Sequence, residues 1–599
     1  MRDLSVSLLG VPSVSRGGTA GLQPKGKKAW ALLTYLALSD GPHTRNHLAE
    51  LLFGGTDDPL GSLRWNLSQL RKILKLPEAL RGSYLDLRAD LDGVLDVDVL
   101  TKGTWTEAIR VRGLGCDLLE GMDFPSDPTF ETWLTLERSR IRNVTRSVLR
   151  EAAAASLGNG HPDMAADFAA RAIALDPFNE ASHELLIRAF ASAGLHDKAN
   201  AALARCTQLF RDELQVEPSA ALRNALTEGR PHAGLKVSGP AAARAQLDLG
   251  RSALKAGAIE TGIESLRAAV GAAEQSGDRS LYAESLLGLG YALLHSVRGR
   301  DGEASALLHR ALGIAESVGS ESLTSACLRE LGYIEMLVGS YDRALVSLER
   351  ALDLSGDDQA GAAWTLAYEA ICHSDMGRYA KAVECLDRCL AMEGQADTAS
   401  QTAYALCLLG RIQLLRGELA QARESLERSI STATKCGWTG LVPWPQSLLA
   451  EVDLLEGADP DQARVRLEHA LSLAQQIGDP CWEAAALHGL GMVDAAAGAV
   501  ETATERLKRA STVCVRFPDS YIWMRGYILD ALCDLSTQTG APGADQWISD
   551  LRNLAAQTGM NELLARSYLY ESRSGDESAG STARLIAREV DNPVLLSFI

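Results

Sequence analysis

Between Asp57 and Leu74 the chain sets Trp65, Ser68, Gln69 and Lys72 at helical spacing, with Arg64, Arg71 and Lys75 along one flank. Cationic groups neutralise phosphates, and amide, hydroxyl and guanidinium groups address base edges in the major groove. These residue types in this pattern can read duplex DNA, or they can form a solvated basic face. No acidic residue occurs from Pro59 to Lys75. Leu60, Leu63, Leu67, Leu70 and Leu74 recur at steps of three and four, so the spacing predicts a helix of about four turns whose leucines face a core. Asp57-Asp58-Pro59 opens it with a side-chain acceptor and a preset φ.

The neighbouring elements are those that would position such a helix. Leu4 to Leu9 alternates as a strand, and Gly10, Gly17, Gly18 and Gly21 punctuate the next dozen or so residues, which predicts a short antiparallel sheet. Lys27 to Leu38 reads as a buried helix stopped by Asp40-Gly41-Pro42, and Thr44 caps a shorter helix from Arg45 to Leu52. Phe53-Gly54-Gly55 then turns the chain into the basic helix. Tyr84 to Arg88 and Val94 to Val97 alternate again around Asp92-Gly93, predicting a hairpin. Sheet, three helices and hairpin is the order of a winged helix, whose third helix enters the major groove. The candidate base contacts are Trp65, Ser68, Gln69 and Lys72. The candidate phosphate contacts are Lys27, Arg45, Arg64 and Arg71, joined by Arg88 on the hairpin. Gly21 to Lys28 nearly spells a phosphate loop, but Lys28 stands where a Ser or Thr must hold magnesium, so its lysines are expected to meet DNA phosphate or water.

The formal net charge is −18, which taken alone argues against nucleic acid. The charge is asymmetric, however. Through Arg88 there are 12 Lys/Arg and 7 Asp/Glu, a net of +5, leaving −23 for the remainder. Aromatic residues make up only 5% beside 53 Gly, which suits helix packing on small residues and predicts a mainly α chain. The 11 cysteines are scattered and odd in number, without paired CxxC spacing, and read as reduced thiols of a cytoplasmic protein. Cys385 and Cys389 lie one turn apart with no second ligand pair, so no metal is expected. With Asp3 near the start and no long apolar run, neither a signal peptide nor a membrane span is expected. No HExxH or Gly-x-Ser-x-Gly spacing occurs, so no catalytic residues, cofactor or enzymatic activity is expected.

Further along stand Gly113 to Gly121, then Phe130-Glu131-Thr132-Trp133-Leu134 with Glu137-Arg138. Ala174-Leu175-Asp176-Pro177, Glu180-Ala181 and Leu214 through Ser219 come next. This ordered set resembles the bacterial transcriptional activation domain. With Lys28 to Leu33 and Leu63 to Arg71, the first 230 or so residues resemble SARP-type regulators, whose amino-terminal winged helix is of the OmpR type. The resemblance implies promoter binding, commonly as a homodimer at direct repeats, and recruitment of RNA polymerase subunits. No receiver domain precedes the winged helix and no ATPase module comes after it, so control by phosphorelay or nucleotide hydrolysis is not expected. Arg138, Arg142, Arg146 and Arg150 recur every four residues, as a second phosphate or polymerase ridge or as a solvated face paired with Glu131, Glu137 and Glu151.

From about residue 240, small residues recur as Gly250, Gly290, Gly332, Ala370, Gly410, Ala450, Gly491 and Ala531, at intervals of 38 to 42. A turn glycine stands seven residues after most of them, from Gly257 to Gly498, and a second set runs Ala344, Ala382, Ala422, Ala463 and Ala503. Small residues at these intervals let antiparallel helices approach and pairs stack. The pattern resembles tetratricopeptide repeats with a period near 40. Residues beside the markers are expected on the concave face: Arg251, Tyr291, Tyr333, Arg411 and Glu451, with Arg329 one turn earlier. That face is a protein or small-molecule groove, or a spacer. Trp438 to Pro445 interrupts the repeat as a bend, a binding ledge or ordinary packing. Glu571 to Ser581 reads as a loop and Ala583 to Val590 as a last helix.

The expected architecture is therefore mainly α. A winged-helix DNA-binding domain with small sheet and wing occupies residues 1–100, and a helical activation domain 101–230. A solenoid of about eight tetratricopeptide-like units spans 240–570, and a loop and helix 571–599. The expected function is a DNA-binding transcriptional regulator, an activator whose array senses a partner or ligand. The alternative is an interaction scaffold whose winged helix binds protein, for which Trp65 on the exposed face also suits.

Overall fold

A computed structural model describes residues 4–17, 19–39, 41–76, 79–226, 239–297, 299–392, 398–515 and 521–598. Asp3, Gly18, Asp40 and the boundary at residue 230 lie outside the described residues. The chain divides into two compact units, Met1–Val148 and Leu149–Ile599.

The first unit opens with an antiparallel sheet of β1 (Leu4–Ser7), β2 (Ser13–Arg16) and β3 (Thr19–Ala20). Then come α1 (Lys27–Leu38), β4 (His43–Thr44), α2 (Arg45–Phe53) and α3 (Pro59–Leu74). β5 (Tyr84–Leu85), α4 (Arg88–Leu91), α5 (Asp96–Lys102), α6 (Trp105–Ala108) and the start of α7 (Pro128–Gly158) complete it. α2 is capped by the Thr44 side chain, which accepts from the His47 N–H. α3 is capped by Asp58, which accepts from Gly61, with Pro59 in the first turn. Both caps are dictated locally, because orphan N–H groups need an acceptor there. Leu33, Leu36, Leu48, Leu52, Leu63, Leu67 and Leu70 fill one core. Leu60 departs from the expected stripe and is 40% exposed. It sits in the first turn of α3, ahead of the stretch that meets the core, and Ile73 is buried at the other end.

The expected hairpin over 84–97 does not form. Tyr84–Leu85 pairs with His43–Thr44 instead. Val94 and Leu95 dock on β1, with Val6 N–H donating to the Val94 carbonyl at 3.1 Å. Asp96 begins α5, and its carboxylate accepts from Leu8 and Leu9 N–H at 2.9 to 3.0 Å. Alternation marks a residue fit for a sheet, but it does not name the partner strand.

In the second unit, α8 (Pro162–Leu175), α9 (Glu180–Ser192), α10 (His196–Leu209), a π turn at Phe210–Leu214 and α11 (Ala220–Asn224) precede the array. The array is built of antiparallel helix pairs: α12 (Pro240–Lys255) with α13 (Ile259–Ser276), α14 (Arg279–His295) with α15 (Asp301–Val318), and α16 (Glu321–Leu337) with α17 (Tyr341–Asp353). Next are α18 (Gln359–Asp375) with α19 (Tyr379–Leu390), α20 (Ala399–Leu415) with α21 (Leu419–Lys435), and α22 (Pro443–Leu455) with α23 (Pro460–Ile477). After these stand α24 (Pro480–Ala496) with α25 (Val500–Cys514), α26 (Ile522–Thr539) with α27 (Ala544–Thr558), and α28 (Asn561–Arg573) with α29 (Glu577–Ala587). The short α30 (Pro593–Phe598) ends the described chain.

Why the markers are small is visible at four of them. A Cβ added at Gly250, Gly332, Gly410 or Gly491 would lie 2.6 to 2.8 Å from the Cγ of Leu266, Leu348, Leu426 or Leu507 on the paired helix. Those leucines are fully buried, so the marker is a hole and the leucine its knob. The turn glycines hold φ of +73 to +79°, the left-handed region that ends a helix.

The carboxy-terminal end corrects the expected loop. Asp576 caps α29 by accepting from Ser578 N–H at 2.9 Å, so the Ser/Gly/acid stretch is one tight turn and a cap. These helices return to the middle of the array. Tyr379 Oη and Asn592 Nδ2 both donate to Glu562, at 2.7 and 2.9 Å, and Ala380 N–H donates to Asp591 at 2.7 Å.

Glu369 on α18 is 5% exposed, and one carboxylate oxygen has no partner among the described residues. Burial, aided by Glu349, pushes its carboxyl up to about 7 against the pull of Arg388. A folded value above the unfolded one, near 4.5, means its contribution is whole below about 4.5 and is lost as pH rises through about 7. Glu369→Gln is expected to remove on the order of 3 kcal/mol of pH-dependent loss. Melting temperatures from pH 5 to 8 check this: the variant's profile should be flatter than the wild type's, and parallel profiles would contradict it.

Candidate nucleic-acid interface and aromatic groove

On α3 of the first unit, Trp65 is 52% exposed, Lys72 and Arg64 are exposed, and Ser68, Gln69 and Arg71 are half-buried. Arg64 approaches Asp58 only at 3.7 Å, with both side chains largely in water, so that contact contributes little. Arg45, at the start of α2, donates to the carbonyls of Gly82 and Leu80 at 2.7 and 3.3 Å. Burial, then the charges of Arg71 and Arg64, lower its pKa. Lys27 is exposed at the start of α1, and Arg88 is half-buried at the start of α4 rather than on a hairpin.

Lys28 is tied into the fold rather than held out for phosphate. Its Nζ pairs with the buried Asp127 and donates to the Leu52 carbonyl at 2.6 Å. The arginine ridge on α7 resolves similarly. Arg138 donates to the carbonyls of Leu118, Leu119 and Met122 at 2.8 to 3.0 Å, and Arg142 pairs with Asp117 at 2.7 Å. Both clamp the 117–122 turn. The glutamates expected as partners are engaged elsewhere: Glu131 with Phe124 N–H, Glu137 with Arg140, and Glu151 with Arg343.

In the second unit the first helices of successive pairs turn their rings into one groove of about 490 Å³. Tyr291 stacks toward His295 at 4.4 Å between centroids, His295 toward Tyr333 at 4.8 Å, and Tyr333 toward Tyr368 at 4.7 Å. The series continues through Trp364, Tyr404, Trp438 and Trp444 at 5.4 to 6.1 Å. Trp444 lies parallel to Trp482 at 4.8 Å and faces Trp523 at 5.4 Å. Trp438 and Trp444 thus belong to the groove wall, and the irregular segment between them is the turn that leads into α22.

Of the residues expected on the concave face, Tyr291, Tyr333 and Arg411 line this groove. Arg251 lies away from it, pairing with Glu284 at 3.0 Å. Arg329 is half-buried, paired with the buried Glu330 at 3.0 Å. Glu451 lines a smaller neighbouring cleft beside His488. Arg411 is only 3% exposed. Its guanidinium binds Asp375 at 2.7 Å and Tyr527 Oη at 2.9 Å, and lies 5.0 and 4.9 Å from the rings of Trp523 and Tyr527. Asp375 also accepts from Tyr341 Oη at 2.9 Å. Burial works against the Glu330 carboxylate, but His295 and Arg329 outweigh it and hold its pKa low. Burial raises the phenols of Tyr368 and Tyr404 well above the ordinary value, so they stay neutral.

His295, Trp364, Tyr368, Tyr404, Trp482 and Trp523 are groove residues that sequence reasoning missed. A signal existed for part of the set: Trp364, Tyr404 and Trp444 stand 40 residues apart, each six before a small marker. Among the described residues, no group of three or more His, Cys, Asp or Glu could hold a metal ion, and no helix is long and apolar enough to cross a membrane.

Residues 89–228 match the bacterial transcriptional activator domain family, and residues 323–395 and 361–435 match the tetratricopeptide repeat family. No curated protein matches the chain. Among solved structures, the chain is similar to EmbR of Mycobacterium tuberculosis in complex with a low affinity phosphopeptide, at 19% identity and TM-score 0.29, over 38% of this chain and 64% of that one. It thus spans under two thirds of EmbR's length. It is also similar to Rap protein complexed with competence and sporulation factor, at 13% identity and TM-score 0.40, over 53% of this chain and 88% of that one. Yeast Tom70 aligns at 12% identity and TM-score 0.31, over 77% of this chain and 97% of that one.

Proposed function

We propose that this chain, a SARP-type regulator with a tetratricopeptide array in its domain content, binds promoter DNA through α3, as a homodimer at repeated half-sites. In this reading it acts in the cytoplasm as an activator, recruits RNA polymerase subunits through residues 101–230, and senses a protein or small-molecule effector at the array. The matched families are regulatory and interaction domains, and no catalytic step is assigned. The observation that supports DNA binding most directly is the acid-free face of α3, which exposes Arg64, Trp65 and Lys72 together.

Selection of genomic fragments by the full-length protein at two salt concentrations tests this reading. A repeated motif with half-sites about one helical turn apart is expected. Gln69→Ala should relax sequence preference, while Arg71→Ala should weaken binding to every sequence and flatten the salt slope by about one. Nothing recovered above background would favour the scaffold reading, which the exposed Trp65 also suits.

A further inference from the structure

The array's groove carries more information than its position. Five of the ten tryptophans in the chain line it. The interiors of the helix pairs are packed by Leu266, Leu348, Leu426 and Leu507 against glycines, so the half-buried Trp364 and Trp438 are not needed to fill them. Trp364, Tyr404 and Trp438 are each only half-buried, so aromatic surface is left facing the groove space. A concave lining of aromatic rings interspersed with polar groups, at a volume within about 300–1,000 Å³, is a form that takes a small molecule.

The charges narrow the ligand. Arg411 is paired with Asp375, and Glu330 lies between His295 and Arg329. Asp479 caps α24 by accepting from Cys481 and Trp482 N–H. An ionic ligand would therefore lose water without gaining a free counter-charge. A cation seeking ring faces would meet Arg411 already stacked on Trp523 and Tyr527. An extended peptide brings a donor and an acceptor with nearly every residue, yet the lining includes no Asn or Gln to meet them. α26 also joins α20 and α22 across one end of the groove, through Tyr527 with Arg411 and Trp523 with Trp444. The indole N–H of Trp444, a lining residue only 3% exposed, has no hydrogen-bond partner among the described residues.

We propose that this groove binds one neutral aromatic small molecule, laid against the half-buried rings of Trp364, Tyr404 and Trp438 and hydrogen-bonded to the tyrosine phenols. The ligand class deepens the sensor reading of the array and rests on it for its biological role.

The test titrates full-length protein with N-phenyl-1-naphthylamine, a neutral aromatic fluorophore, following its emission gain and the quenching of tryptophan emission. One saturable site per chain is expected. Trp364→Leu and Tyr404→Leu should each weaken binding at least tenfold, while Trp547→Leu, outside the groove lining, should leave it unchanged. Trp438→Leu replaces either groove variant if its melting temperature falls. Absence of saturable binding, equal affinity in all variants, or displacement of the probe by tetraethylammonium or by an unstructured apolar peptide would each overturn the proposal. DNA binding is measured in parallel. Lost probe binding with intact DNA binding overturns the ligand class alone, whereas probe binding that leaves DNA affinity unchanged overturns the sensor reading and leaves the site standing.

Discussion

Arg411→Ala is expected to destabilise the array by about 3–5 kcal/mol, because it strands a buried carboxylate. The Asp375 side chain is fully buried, and its two oxygens face Arg411 at 2.7 Å and Tyr341 at 2.9 Å. With the guanidinium gone, Asp375 keeps one phenol donor and no counter-charge, and Tyr527 Oη loses its 2.9 Å partner. Arg411→Lys should fall between wild type and alanine, since an ammonium keeps the charge but does not span Asp375, Tyr527 and the two ring faces together. Arg411→Leu combined with Asp375→Leu should recover most of the loss, because it removes both charges rather than one. Urea midpoints by circular dichroism measure all three. A loss below about 1 kcal/mol in Arg411→Ala would mean that Asp375 finds water or another cation, contrary to the burial seen.

The second large effect is expected at Trp444, where alanine should cost about 3–5 kcal/mol. The ring is 3% exposed, parallel to Trp482 at 4.8 Å and against Trp523 at 5.4 Å, so its removal opens a void between helices α22, α24 and α26. Trp444→Phe should behave differently from what its volume suggests. The indole N–H has no partner among the described residues, and an orphan buried donor itself costs about 1–3 kcal/mol. Phenylalanine removes that donor and keeps a stacking ring, so a net change within about 1 kcal/mol is expected from the two opposing terms. Thermal melts of the two variants separate the effects. A phenylalanine variant as unstable as alanine would show that a partner satisfies the N–H in solution.

Much of the frame was legible from local patterning. The cap and proline at Asp58-Pro59 and the buried Leu63, Leu67 and Leu70 of α3 are where spacing put them. The small markers of the array sit in the first helix of each of eight pairs. Other readings failed for a common reason. Tyr84–Leu85 and Val94–Leu95 are fit for strands, yet each finds a partner from an earlier part of the chain. Lys28 and Arg138 look like solvent-facing or phosphate-facing cations in the sequence, and both are tied to carboxylate or carbonyl oxygens brought in by folding. At the carboxy terminus, Ser574 to Ser578 has loop composition because caps and loops use the same residues.

The sequence by itself determined the helical period, the close approach of paired helices and the basic face of α3. Each depends on residues a few positions apart or on an interface repeated every 40 or so residues, which leaves a periodic trace. Only the tertiary structure decided that Arg411 locks to Asp375 and Tyr527, that Trp444 stacks on Trp482 and Trp523, and that rings from Tyr291 to Trp523 share one groove. The Arg411 contacts join residues 36 and 116 positions apart. They arise from how far the stacked pairs turn relative to one another, a sum of small packing rotations that no single repeat encodes.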